Sequence, residues 1–283
     1  MPQPVTHSDV LRRKVNELSG LPTLPGVVRF VSTVVEDSQS SMQDVGEVIS
    51  RDQVLSAKIL RMVNSPFYGF PGRISSVTHA LVLLGLSVVK GLVLSTAVFD
   101  NLDRKYRGLW EHSLGTAVIS RQIAKAMGVQ DCEDIMIAGL LHDLGKVVLA
   151  VVEPDQYDLC IQQAHLQKIH IAQAEQQQFG VDHTQVSAWV CERWHLPARL
   201  VECLTMHHQP QRAYQFPEAT AIVHVADVLA RAMGYGDPGD PALPPFETLA
   251  FDSLGLGPEA YDAILRVAES DFHRGTTLFG IVE

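Results

Sequence analysis

Residues 135–152 read Ile135-Met136-Ile137-Ala138-Gly139-Leu140-Leu141-His142-Asp143-Leu144-Gly145-Lys146-Val147-Val148-Leu149-Ala150-Val151-Val152. Ile135, Ala138 and Leu141 recur at three-residue spacing, which predicts a helix that runs into His142. Beyond Lys146, Val147 to Val152 is the one β-rich run in the chain. An isolated strand has no sheet to join. The flanks therefore decide the fold class, and they are helical. The expected fold is all-α, a multi-helical bundle.

Outward from this stretch the helical period continues. Upstream, Val27, Val31, Val34 and Val35 share a face, and Ser41 with Asp44 three residues on is an acidic variant of a capping box. Leu55, Ile59 and Val63 follow Asp52, a plausible N-cap, and Asn64-Ser65-Pro66 stops that helix because the residue before proline avoids the α region. Val77, Leu81 and Leu84 form a face ending at Gly85, and Ser87 caps a helix carrying Val88, Leu92 and Val93. Leu114, Val118, Ile119 and Ile123 mark a helix that ends near Gly128. Downstream, the Gln-rich residues 162–178 read as one solvated helix, and Pro197 suits the first turn of a helix carrying Leu200 and Leu204. Ala219, Ile222, Val223, Ala226 and Leu229 make the next. Residues 234–257 are rich in Gly and Pro and read as a linker, with a terminal helix over Pro258 to Ser270. The expected organisation is an N-terminal helical lobe (1–105) packed on a helical bundle (106–235), then linker and helix (236–283).

Composition narrows the function classes. The chain has 283 residues, is 46% hydrophobic and carries 22 basic against 32 acidic side chains, a formal charge of −10. That apolar share excludes disorder, and the acidic balance argues against bulk nucleic acid or an anionic membrane surface as partner. Cys132, Cys160, Cys191 and Cys203 form no C-x-x-C pair and read as packing residues. The apolar stretch Val77 to Phe99 is interrupted by His79, Gly85, Ser87, Lys90, Gly91 and Ser95, so no membrane span is expected. With no secretory leader pattern, the expected compartment is the cytoplasm. Histidine is the unusual count, at 12.

Imidazole beside carboxylate can hold one divalent metal, or two through a bridging carboxylate. His142-Asp143, with His112 upstream and Asp227 downstream, resembles the H…HD…D order of the HD superfamily of metal-dependent phosphohydrolases. His183 at the head of His183-Thr184-Gln185-Val186-Ser187-Ala188-Trp189, then Trp194-His195-Leu196-Pro197, then His207-His208, resembles the HD-GYP branch. The resemblance implies metal ligands at His112, His142, Asp143, His183, His207, His208 and Asp227. It also implies a phosphate-contacting Lys146 and a catalytic part for Asp143. The chain departs from that branch in three places. No Gly-Tyr-Pro follows His208, Gln209 stands where a Glu is usual, and the upstream metal-bridging Glu falls near Gly108.

The N-terminal half narrows the resemblance. Leu21-Pro22-Thr23-Leu24-Pro25-Gly26-Val27, the Leu55 to Ser65 segment, Phe67-Tyr68-Gly69, Ile74-Ser75-Ser76-Val77, Ala80 and Leu84-Gly85 together resemble the HDOD domain, from about residue 18 to about residue 230. Arg51-Asp52-Gln53 stands where that family has an Asp-Pro pair. HDOD domains are output modules of bacterial signalling proteins without an established catalytic activity. The resemblance thus implies a protein–protein interaction module with signalling partners, whose pocket takes a metal or a nucleotide such as a cyclic dinucleotide. The alternative is an active phosphohydrolase using iron or manganese.

Plainer readings stand beside these. His142-Asp143 also fits a buried hydrogen-bonded pair kept for packing. His207 and His208 point about 100° apart on a helix, so both can ligate only at a helix end or between two metals. His79, His165, His170, His195, His224 and His273 read as ordinary, with a second option for His224 as a support for Asp227 one turn on.

Overall fold

The structure is a computed structural model, and it describes residues 6–17, 42–50, 53–64, 70, 73–85, 88–89, 91, 104–244 and 246–278. The readings at 21–27, the Val27–Val35 face, Ser41, Asp52, Phe67–Gly69 and Ser87 lie outside these residues. The described residues are helical, with no strand among them. The helices are α1 (His7–Glu17), α2 (Met42–Ser50), α3 (Gln53–Val63), α4 (Val77–Leu84), α5 (Arg107–Ala126), α6 (Cys132–Leu141) and α7 (Leu144–Val152). They continue with α8 (Pro154–Gln167), α9 (Ile171–Phe179), α10 (His183–Arg193), α11 (Ala198–Met206), α12 (Pro217–Ala232), α13 (Thr248–Ser253) and α14 (Pro258–Leu278).

The β-rich run Val147 to Val152 is helical, forming most of α7. Val147, Val148 and Leu149 are buried. Enclosure by neighbouring helices overrides the β-branched preference, which is weak beside the burial of a whole turn. Cys132–Val152 is apolar enough by composition to cross a membrane, but 89% of its most apolar window is buried within the fold. It is two helices that meet at His142-Asp143.

The chain punctuation behaves as its chemistry requires. Asn64 ends α3: its amide donates to the carbonyls of Leu60 and Ile74 and accepts from the Ile74 N–H. Gly85 follows α4 at φ 81°, a backbone that side-chain-bearing residues avoid. The Gln-rich stretch departs from the expected single helix. Lys168 turns left-handed (φ 54°) after α8, and the His170 ring accepts from the Ala172 N–H to cap α9. This pair is less solvated than its composition suggests, because Cys160, Ala164, Ile171, Ala174 and Phe179 are all buried. Pro197 stands one position earlier than expected, as the N-cap of α11. Residues 234–257 include a helix, α13, and Asp240 within them is 5% exposed.

The core gathers around α5, which packs against α6, α12 and α14, while α10 lies on α7 and α11 on α6. Helices α2, α3 and α4 pack on one another, and α1 reaches across to α7, α9 and α10. Gly145, at the start of α7, lets that helix approach α10: a Cβ there would lie 1.9 Å from the His183 carbonyl oxygen. The break between α6 and α7 thus faces α5, α10, α11 and α12.

Candidate metal centre

All seven side chains singled out as ligands meet at the α6–α7 break. His142 is the C-cap of α6 and His207 the C-cap of α11. In each, the ring Nδ1 faces the carbonyl three residues back, Gly139 at 2.7 Å and Leu204 at 3.1 Å. Those contacts place a proton on Nδ1 and leave Nε2 with a free lone pair. His183 obeys the same rule through a carboxylate. Its Nδ1 is 2.6 Å from Glu175 Oε2, which also accepts the His183 backbone N–H at 2.8 Å.

Asp143 stands in the middle. Its Oδ2 is 3.2 Å from His142 Nε2 and 3.8 Å from His112 Nε2, and its Oδ1 is 3.4 Å from His183 Nε2 and 3.9 Å from His207 Nε2. Asp227 Oδ1 approaches the first side, 3.0 Å from His112 Nε2 and 3.9 Å from His142 Nε2. His208 completes the second, its Nε2 3.0 Å from His183 Nε2. Two groups result, His112/His142/Asp143 and Asp143/His183/His207/His208, and the ligand atoms within each lie within 4.8 Å of one another. Asp143 belongs to both, and Asp227 joins the first.

Burial is nearly complete. His112, His142, His183, His207 and Asp227 are 0% exposed and Asp143 is 1% exposed. Yet His142 Nε2, His207 Nε2, Asp143 Oδ1 and Asp227 Oδ2 make no hydrogen bond. Buried polar atoms are otherwise almost always satisfied, so this many orphans aimed at one point fit a cation. The donor set, imidazole and carboxylate, suits a divalent transition metal. The cluster could hold a metal.

Electrostatics agree with a cation-ready centre. Burial pushes the His112, His183 and His208 rings down from the ordinary histidine range, and takes His207 to about 3, so these four stay neutral and able to ligate. For His142 burial acts the same way, but the Asp143 charge overrides it and raises the ring. Burial opposes ionisation of Asp143 and Asp227, yet both lie well below the usual carboxylate range. His142 and Lys146 hold Asp143 down, and Arg231 and His112 hold Asp227 down.

Lys146 lies inside the centre rather than at its surface. It is fully buried, with Nζ 2.9 Å from Asp143 Oδ2 and donating to the Pro238 carbonyl at 3.3 Å. In this arrangement it pairs with a carboxylate. His224 also differs from its second option. It does not touch Asp227: Nδ1 faces the His207 carbonyl at 2.8 Å and Nε2 accepts from the Glu247 N–H. It steadies the turn that carries His207 and His208.

Three contributors escaped the sequence reading. Glu175 is fully buried, and burial raises its carboxyl to about 8. It sits in the Gln-rich stretch, where nothing local marks it. Arg231 is one turn after Asp227, a spacing that could have flagged it. Its Nε is 3.1 Å from Asp227 Oδ1 and its guanidinium reaches Asp240. The His170 ring packs edge-on against His208 at 4.7 Å, and burial lowers it to about 4. At Gly108, near which an upstream Glu was expected, a Cβ would lie 2.7 Å from the Asp237 backbone nitrogen, so this chain has no room for a side chain there.

An uncharacterized protein of Treponema pallidum (strain Nichols) is 26% identical over 230 residues, which is 76% of this chain and 43% of that protein. This chain therefore spans less than half the length of that relative. The crystal structure of an HDOD domain protein of unknown function from Geobacter sulfurreducens is 26% identical, with a TM-score of 0.67 over 97% of this chain and 94% of that one. A candidate phosphohydrolase from Shewanella amazonensis SB2B shares the fold at 22% identity, with a TM-score of 0.70 over 96% of this chain and 99% of that one. The family model for the HDOD domain matches residues 21–210, a span holding His112, His142, Asp143, His183, His207 and His208 but not Asp227. With two thirds of its length inside that match, the chain belongs to the HDOD domain family.

Proposed function

We propose that this HDOD protein is a bacterial, cytoplasmic signal-transduction module that acts by binding partner proteins, with a closed divalent-metal centre at its core. His112, His142, Asp143 and Asp227 would hold one metal, and Asp143, His183, His207 and His208 a second, iron or manganese in either case. One observation carries the reading. Six of the seven ligands are buried, and Lys146, the residue expected to meet a phosphate, is spent on Asp143 and Pro238. A centre of this kind suits a metal kept for structure or regulation better than turnover of a substrate.

The alternative is a metal-dependent phosphohydrolase, and the sharing of Asp143 between two ligand groups favours it. When bound, a metal pair polarises a phosphate ester and lowers the pKa of a water. In that reading Lys146 swings from Asp143 toward the substrate phosphate. A third use of the pocket, capture of a nucleotide or cyclic dinucleotide without cleavage, would leave a melting shift and no product.

The test is metal analysis of protein expressed with iron or manganese, followed by assay with bis(p-nitrophenyl) phosphate and a cyclic dinucleotide. Bound metal with no turnover supports the module. Turnover that disappears in His142→Ala and Asp143→Ala establishes the hydrolase instead. Less than about 0.2 metal per chain, with no gain on adding either ion, overturns the metal centre in both readings.

A further inference from the structure

The seven ligands are enclosed on one side by a short irregular segment after α12. Its backbone lies across α5: the Asp237 N–H donates to the Gly108 carbonyl at 2.9 Å, and Gly236 packs so tightly that a Cβ would lie 2.4 Å from the His112 nitrogen. Pro238 offers its carbonyl inward to Lys146, which is itself on Asp143. On the outer side, Asp237, Pro238 and Gly239 form one wall of a surface pocket with Lys105, Tyr157 and Asp158. On this side Pro238 and Lys146 stand between solvent and Asp143, while His208, on another side of the centre, is partly exposed.

One buried guanidinium fastens this segment. Asp240 Oδ1 is 3.1 Å from Arg231 Nη1 and accepts the Ala242 N–H, while Oδ2 accepts the Ile171 N–H at 3.0 Å. Arg231 also donates to the Ala242 carbonyl at 2.9 Å. The same guanidinium is 3.1 Å from Asp227 through Nε. Arg231 is therefore shared between a carboxylate of the centre and a carboxylate of the covering segment.

We propose that residues 236–242 are a locked cover over the Asp227 side of the His/Asp centre, and that release of the Asp240–Arg231–Asp227 clasp opens the route by which metal exchanges there. The inference rests on the metal reading above. A cation beside Asp227 competes with Arg231 for the same carboxylate, so occupancy of the centre and the hold on the cover are linked through one side chain. A change deep in the core then reaches the surface at 236–242, which is what a signalling module needs.

The test uses the full chain and Asp240→Asn, which keeps the side-chain shape and removes the charge. In metal-loaded protein, removal of manganese by excess EDTA should be about tenfold or more faster in D240N, with metal content at saturation unchanged, because the loss falls on the cover and spares the ligands. Hydrogen exchange at the Ile171 and Ala242 amides should rise with it. A second variant, Asp237→Ala, removes the Asp237 side-chain contact to the Gly239 N–H and leaves the clasp whole. It should strip like the parent. Equal stripping rates in D240N and the parent, in folded protein, overturn the proposal. Exchange on metal-free protein separates the two ideas. Should the parent hold no metal, D240N must still raise exchange at Ile171 and Ala242, and unchanged exchange there means that residues 236–242 are not clasped.

Discussion

Lys146 Nζ lies 2.9 Å from Asp143 Oδ2, with neither side chain in contact with solvent. The pair explains how a carboxylate shared by two ligand groups stays ionised in the core. Removing one member of a buried ion pair leaves an uncompensated charge, at a cost of about 3–5 kcal/mol. Lys146→Met should therefore lower the denaturant-derived stability of metal-free protein by about that amount. Metal should recover part of the loss, because a cation on Asp143 replaces the ammonium. Chemical denaturation with and without manganese measures both. A loss no larger than an exposed substitution would give means that the ion pair is not formed.

Glu175 sets the proton on His183 Nδ1, and so the direction of the Nε2 lone pair. Glu175→Gln keeps an acceptor oxygen for both contacts but removes a carboxyl whose charge, dominant above about pH 8, makes the imidazole a stronger donor to metal, so the comparison is made above that pH. The expected result is a drop of about 10–100-fold in the affinity of the weaker metal equivalent, with little change in melting temperature. Isothermal titration of manganese into both proteins reads the difference. Unaltered affinity would assign Glu175 to packing alone.

Gly145 is where α7 meets α10. A methyl group there would press on the His183 carbonyl at 1.9 Å, a backbone atom that cannot rotate away. Gly145→Ala should cost about 3 kcal/mol or more, at the upper end for overpacking. It should also weaken metal binding, since the displaced helix carries His183. A variant with parental stability and metal content would show that the two helices are not so close in solution.

Cys160, Cys191 and Cys203 have their thiols raised to about 12 by burial. A raised thiol pKa means that the reactive thiolate accumulates only above that value, so near about pH 8 its fraction is roughly one in ten thousand. Iodoacetamide should label native protein at Cys132, which is partly exposed, far faster than at the other three. All four should label in denaturant. Mass mapping of the alkylated sites decides it, and fast native labelling of Cys203 would contradict the packing of α11.

Much of this molecule was legible from local chemistry. Asn64 and Gly85 end helices for reasons visible in the chain, and the His112, His142-Asp143, His183, His207-His208 and Asp227 order anticipated a set of side chains that the fold does bring together. Val147 to Val152 was ambiguous by itself, because β-branched residues report a preference that burial can reverse. Lys168 broke a stretch that composition alone would join, and His224 supports His207 rather than its own helix neighbour Asp227.

By itself the sequence determined that the chain is helical and that imidazoles and carboxylates stand at particular helix ends and faces. Periodicity and capping act over a few residues, so they can be read there. Only the tertiary structure decided that Asp143 is shared between two groups, that Glu175 and Arg231 steady them, and that Lys146 and residues 236–242 close them off. Those facts depend on distances between segments far apart in the chain, such as Lys146 to Pro238 and Glu175 to His183. Such distances are set by how whole helices pack, and no local pattern encodes them.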